Sequence, residues 1–406
     1  MKKFVKMSLV AAVAVAGLTS ANAKPLTEAI QDVDVSGTVV YRYQGNDNDV
    51  AGTDNSTTNY YKIGLNLSSK VNDDVKLNTR FLVSDPSATG TGDGGFATLD
   101  SSDNGDQNVG VELSTVNFAY TGIANTTVIA GKQGLTTPWT VAVDSDSNEQ
   151  TGTGLLALSN LGPVTVAAAY FNQTNLNISG DVLPGIGLAD TQVGGADVSA
   201  VAVIVPVGPV TLDAWYLDMQ DIFDTYTFGA NAKFDVSGIK LGVDARYTEL
   251  TLDDWAATAL HNSKDSNSLA KIVLTADAGL IDAKLAYAMS DSDGGIAALD
   301  NDATTSITGW NINGNNKMDL DYYQVVVGVD ALENLNISAN YGNAQYKSTN
   351  VAGALDIEEE EVYVQAVYNM SKNLSTYVRY GTYTKDTGST ENNDDVRGRL
   401  QIQYSF

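Results

Sequence analysis

Hydrophobic and polar residues alternate along most of this chain. In the stretch 396–406, VRGRLQIQYSF, Val396, Leu400, Ile402, Tyr404 and Phe406 share one face. Arg397, Arg399, Gln401, Gln403 and Ser405 share the other. A repeat of two is the period of a β-strand and predicts one with an apolar medium on one side and a polar medium on the other. The same pattern places Val33, Val35, Val39, Tyr41 and Tyr43 on one face of a first strand, followed by Tyr61, Ile63, Leu65 and Leu67. It returns at Val75, Leu77 and Phe81, at Val164 to Tyr170, at Ile239 to Tyr247 and at Leu374 to Tyr380.

The links between these segments alternate as well. Short ones read VPVGP (205–209), DVSG (235–238), DAGL (277–280), DALENL (330–335) and NMSKNL (369–374). Long polar ones cover 44–57, 84–110, 133–154, 172–196, 250–266, 290–319, 347–357 and 385–394, with turn residues and no helical period. Alternating short and long links predict an all-β, antiparallel, up-and-down meander. Closed on itself, it is a transmembrane β-barrel of about 18 strands, with short turns at one end and long loops at the other. Closure satisfies the backbone of both edge strands in lipid, so the last strand is expected to pair with the first. The competing reading is an acidic secreted surface adhesin or surface-layer protein built of soluble sandwiches, in which the apolar face meets a protein core.

The N-terminus favours the barrel. Lys2, Lys3 and Lys6 precede an apolar run from Leu9 to Leu18, and Ala21-Asn22-Ala23 fits a small-x-small cleavage site. Residues 1–23 are therefore expected to be a signal peptide for Sec-type export, too short to span a bilayer, with 24–406 forming a single barrel. The chain has no cysteine, so disulfides and thiolate metal sites are excluded. Its formal net charge of −26 repels nucleic acid and attracts cations.

The arginines test the register. All six, Arg42, Arg80, Arg246, Arg379, Arg397 and Arg399, fall in predicted strands, opposite the apolar face. Random facing would give this roughly once in sixty-four. An arginine facing lipid at the bilayer midplane costs about 2–4 kcal/mol, so the six are expected to line the lumen. Arg42, Arg80, Arg379, Arg397 and Arg399 come from strands near the two chain ends and should share one stretch of inner wall. The acids lie mostly in loops. Glu358 to Glu361 open a late strand and, like the loop acids, are expected to be solvated.

The stretch KPLTEAIQDVDVSGTVVYRY (24–43) resembles the mature start of the Campylobacter-type major outer-membrane porin family. VIAGKQGLTTPWT (128–140) with TGTG (151–154) resembles the strand entering that family's inward-folded third loop and the loop itself. The resemblance implies a bacterial outer-membrane general porin, a homotrimer of barrels, with the third loop at about 133–154 narrowing the pore. It also implies a calcium ion held by carboxylates near the constriction. An aspartate follows the Trp-Thr pair in the family; here Asp144 and Asp146 both lie near that place, and the residues leave open which one corresponds. Calcium suits such a donor set, since it prefers oxygen ligands.

These readings converge on a diffusion channel rather than an enzyme. Small hydrophilic solutes and ions would cross a water-filled lumen in lipopolysaccharide-bearing membrane, with no required cofactor. Asp144, Asp146 and Glu149 of the third loop would face the arginines across a narrow gap and, with acidic mouths, favour cations mildly. Trp139 is expected to anchor that loop. Segments 84–110 and 290–319 are expected to project outward as protease targets. A hydrolase would have to use His261, the only histidine, which sits in a polar loop with no serine-and-carboxylate constellation near it in sequence.

Overall fold

Chain segments of alternating polarity zip into one antiparallel sheet. The computed structural model describes residues 33–50, 55–84, 95–98, 111–179, 182–183, 187–188, 191–260, 264–348 and 353–406. Its strands are β1 (Val33–Asn48), β2 (Ser56–Lys70), β3 (Val75–Val83), β4 (Ala97–Thr98), β5 (Glu112–Ile123), β6 (Thr126–Gly134), β7 (Thr151–Leu161), β8 (Val164–Thr174), β9 (Val198–Val207) and β10 (Val210–Met219). They continue as β11 (Phe223–Val236), β12 (Ile239–Leu252), β13 (Ser266–Asp277), β14 (Ile281–Ser290), β15 (Met318–Leu332), β16 (Leu335–Lys347), β17 (Asp356–Asn369), β18 (Leu374–Thr387) and β19 (Thr390–Ser405). Two short helices, α1 (Thr191–Gly195) and α2 (Asp254–Ala259), lie in loops on the long-loop end. The two-residue β4 only caps the upper part of β2. The other 18 strands pair each with its sequence neighbour, and β1 pairs with β19 to close the ring.

The expected barrel, its strand number and its closure are all present. Closure runs from Thr38↔Ser405 to Asn48↔Asp395 and ends in two backbone bonds, Gly37 N–H to the Phe406 carbonyl at 2.9 Å and Phe406 N–H to that of Gly37 at 3.0 Å. Position 37 needs a glycine. A Cβ there would lie 2.3 Å from the Gly64 carbonyl oxygen and 2.9 Å from the Phe406 ring.

Apolar residues face outward and polar ones inward, the reverse of a soluble sandwich. Val39, Val201, Val203, Phe228, Leu285, Val364 and Val378 are exposed on the outside. Thr225, Thr227, Thr248, Gln324 and Asn340 are buried within. This is the arrangement lipid requires, with every backbone group paired around the ring. Short turns cluster at one end. The Ser237–Gly238 link has φ of 56° and 85°, the left-handed pair of a type I′ hairpin whose twist matches its strands.

Several boundaries depart from the polarity reading. Residues 385–394 are not a long loop: β18 and β19 run on to a tight turn at Gly388, φ 60°. Strands standing above the membrane have water on both sides, so their alternation vanishes although their pairing continues. The same extension shortens the links read at 44–57, 250–266 and 347–357. Residues 290–319 fold into the lumen instead of projecting outward. Residues 1–32, most of 84–110 and His261 lie outside the described residues.

Candidate functional site in the lumen

The segment between β6 and β7 bends into the barrel and is pinned there at both ends. Leu135 N–H bonds the Gln150 carbonyl at 2.8 Å, and the Gln150 amide donates to the Leu299 carbonyl at 2.8 Å. Trp139 is fully buried among Leu135, Leu183, Leu217, Met219 and Leu299.

Charge fixes the rest of this loop against β1, β2, β3 and β19. Glu149 accepts from Lys62 Nζ at 2.7 Å, from Arg80 Nη2 at 2.7 Å and from Ser114 Oγ at 2.5 Å. Asp146 takes Arg42 Nη1 at 2.5 Å and Arg399 Nη1 at 3.4 Å, while Arg42 Nη2 reaches the Ser145 carbonyl at 2.5 Å. Asp144 instead closes the loop on itself, accepting Asn148 N–H and Nδ2, both at 2.8 Å. Burial pushes the Glu149 carboxyl up, but Arg80 and Lys62 outweigh it and hold it below the usual carboxylate range. Against the cost of desolvation, Arg42 and Arg399 also hold Asp146 below its ordinary value, although its side chain stays 54% exposed. Asp146 and Glu149 thus touch the arginines rather than facing them across a gap. A short loop carrying both acids can gain their attraction only by contact with the wall, where water is scarce and screening weak.

A second inward loop, 291–317, was not foreseen. It lies on the first: Leu299 N–H bonds the Trp139 carbonyl at 2.8 Å, Thr305 N–H bonds that of Pro138 at 3.0 Å, and Asp302 Oδ2 accepts Ser145 N–H at 2.7 Å. Its Ala297, Ile307 and Ile312 pack on Leu269, Ala286, Leu320 and Tyr322 of the inner wall. Apolar residues scattered in so polar a segment, Ile296 to Leu299 with Ile307, Trp310 and Ile312, were the available signal. Two of the glutamates at 358–361 hold this loop and are not solvated. Glu361 accepts the N–H groups of Trp310 at 3.0 Å and Asn311 at 2.7 Å; Glu359 takes Lys317 at 2.9 Å and Lys385 at 3.2 Å. Glu358 and Glu360 point outward, as the period of two requires.

Leu176, Val182, Leu183, Leu188 and Val193 fill the sector beside β10 to β12. A cavity of about 1000 Å³ opens at the long-loop end between α1, α2 and the ends of β10 and β12, and the sector under β1 to β3 and β17 to β19 is open as well. Two cavities lie there, of about 340 Å³ toward the short-turn end and about 240 Å³ beneath the second loop. Asp144, Ser145, Arg379 and Arg399 border both.

All six arginines lie on the inner side. Arg379 and Arg399 border both cavities and are directly opposed across β18 and β19, Arg80 borders the larger, and Arg42 stands beside them on Asp146. Arg397 pairs with Asp395 and donates to Asn311 Oδ1 at 2.5 Å. Arg246 stands apart, bidentate to Asp213 at 2.8 and 2.9 Å. Calcium fits the predicted pair poorly. Both Asp144 oxygens accept from Asn148 and Asp146 lies between two guanidinium groups, whereas calcium takes six to eight oxygens. Among the described residues no three acidic, histidine or cysteine side chains group as a metal site.

The fold is shared with solved bacterial structures, among them the outer membrane protein OpdK of Pseudomonas aeruginosa. Pseudomonas aeruginosa OccK2 (OpdF) matches with a TM-score of 0.71 at 16% identity, over 93% of this chain and 98% of that one. Acinetobacter baumannii OccAB3 matches with a TM-score of 0.71 at 12% identity, over 93% and 99%. At these identities the likeness is one of architecture. No curated protein matches the sequence. The family model for the Campylobacter major outer membrane protein matches residues 1–406, and the chain belongs to that family.

Proposed function

We propose that the protein is an outer-membrane porin, a passive diffusion channel that sieves small hydrophilic solutes and ions at the rim formed by Asp144, Ser145, Arg379 and Arg399. The observation that carries this reading is the pair of cavities meeting at that rim, in a lumen otherwise filled by three loops. Most of the charged groups around it fix the first inward loop: Arg42, Lys62, Arg80 and Arg399 hold Asp146 and Glu149. Selectivity is a balance. Arg42, Arg80, Arg246, Arg397 and Arg399 each have a carboxylate partner, which blunts their attraction for anions. The net charge of −26 then biases the pore mildly toward cations, less so at high salt. By family resemblance the working unit is a homotrimer, exported through the Sec route with residues 1–23 removed.

Planar-bilayer recording tests this reading. Purified protein should give stable ohmic steps and a reversal potential on the cation side in a potassium chloride gradient, shrinking as salt rises. Mass measurement of the same preparation in mild detergent should give three chains. Absence of conductance from a folded, heat-modifiable barrel would end the channel reading. An anion-side potential would end the selectivity part, and a monomer the assembly part.

A further inference from the structure

The six arginines differ in what they have left to offer. Arg80 and Arg246 are bidentate to carboxylates, Arg42 is spread over Gln401, Ser145 and Asp146, and Arg397 is held by Asp395 and Asn311. Arg399 holds Asp146 only at 3.4 Å. Arg379 is the exception: its Nε donates to Gln365 Oε1, and among the described residues it makes no salt bridge, although Asp146 lies within range of its charge. Both terminal nitrogens, four N–H groups in a planar fork, have no hydrogen-bond partner among those residues.

Its surroundings select a ligand. The guanidinium carbon lies 4.9 Å from the Tyr377 ring centroid, 5.7 Å from that of Tyr363 and 5.9 Å from that of Trp310. Glu361 fixes the Trp310 backbone, so the aromatic wall is rigid. Arg379 borders both cavities, and the larger, about 340 Å³, also has Lys62, Arg80 and Arg399 on its wall. That volume lies within the range of small-molecule pockets. The smaller cavity carries Asp144, Asp146 and Asp302, which disfavours a second negative group on the solute.

Resting on the channel reading, we propose that Arg379 is a carboxylate seat within the constriction, where small planar monocarboxylates dwell during passage. The carboxylate takes the two terminal nitrogens in a bidentate pair on the side of the larger cavity, and the ring of the solute lies along Trp310 in the smaller one. A lysine would keep the charge but lose the fork.

The experiment uses the full protein in planar bilayers, with benzoate added at constant potassium chloride. Benzamide serves as the neutral control and terephthalate as the dianion. Benzoate should cut the open-channel current in brief, saturable blocks, and benzamide should not; terephthalate should block more weakly than benzoate. Arg379→Gln should raise the half-blocking concentration about tenfold, the loss of one charge-assisted pair, and Arg379→Lys severalfold. Conductance of each variant in potassium chloride alone reports that the barrel has formed. A conducting channel indifferent to benzoate overturns the seat, as does equal block by benzamide or by terephthalate, or an unchanged half-blocking concentration in Arg379→Lys. A folded barrel that conducts nothing overturns the channel reading instead.

Discussion

Replacing Glu149 by glutamine should loosen the first inward loop without unfolding the barrel. Glu149 is only 2% exposed and its two oxygens meet donors from Lys62, Arg80 and Ser114. Glutamine keeps the shape but leaves one acceptor oxygen for four converging donors and turns an NH₂ group toward them. Two cations are then buried without a counter-charge, a loss of about 3–5 kcal/mol where one partner of a buried pair is removed. At about 1.4 kcal/mol per decade, the released population of the loop rises roughly 10²- to 4 × 10³-fold. The remaining anchors, Gln150 on Leu299, buried Trp139, and Ser145 and Asp146 on Asp302, Arg42 and Arg399, limit the opening to residues 147–149. Amide hydrogen exchange in detergent reads this directly: Ser147 and Asn148, whose N–H groups are bonded in the native loop, should lose protection by that factor while β2 and β3 keep theirs. Acid should do the same to the native protein. Because the folded carboxyl lies below its ordinary value, the anchor is complete above about pH 4.5 and is lost as pH falls through the folded value. Protection should therefore stay flat from pH 7 to about 5 and fall only well below 4.5. Unchanged exchange at Ser147 and Asn148 in the glutamine variant would show that the ionic cluster does not hold the loop.

Two further perturbations probe closure and the metal. Gly37→Ala places a Cβ 2.3 Å from the Gly64 carbonyl and against the Phe406 ring, so the last strand should pair imperfectly and the barrel should lose its heat-modifiable gel shift at a lower temperature; an unchanged transition would show that the seam is not tight there. Chelating calcium with EGTA should leave thermal stability and single-channel conductance unchanged, because Asp144 and Asp146 are committed to Asn148, Arg42 and Arg399; a calcium-dependent melting shift would show that these carboxylates can be recruited.

The wall of this protein was legible in its sequence because each wall residue faces one of two media, and the choice is written locally. Arg42 and Arg379 sit between outward neighbours, and the period of two assigns their direction without knowledge of any partner. The pore was not legible in the same way. Ile307 and Ile312 have no period, and what buries them lies on β13 to β16, while Glu361 takes hold of Trp310 across 51 positions. Arg42 and Asp146 are 104 positions apart, Lys62 and Glu149 87. Pattern could place these charges in the same lumen but could not say which would meet. That distinction decides the function of the basic wall. Counted alone, the arginines read equally as a basic ladder beside the pore or as charges paired with nearby carboxylates; the structure pairs five of them and leaves the terminal nitrogens of Arg379 unclaimed among the described residues. The channel's preference is set by the loops that neutralise its wall more than by the wall itself, and changes in 135–150 and 291–317 should retune transport while the barrel register stays the same.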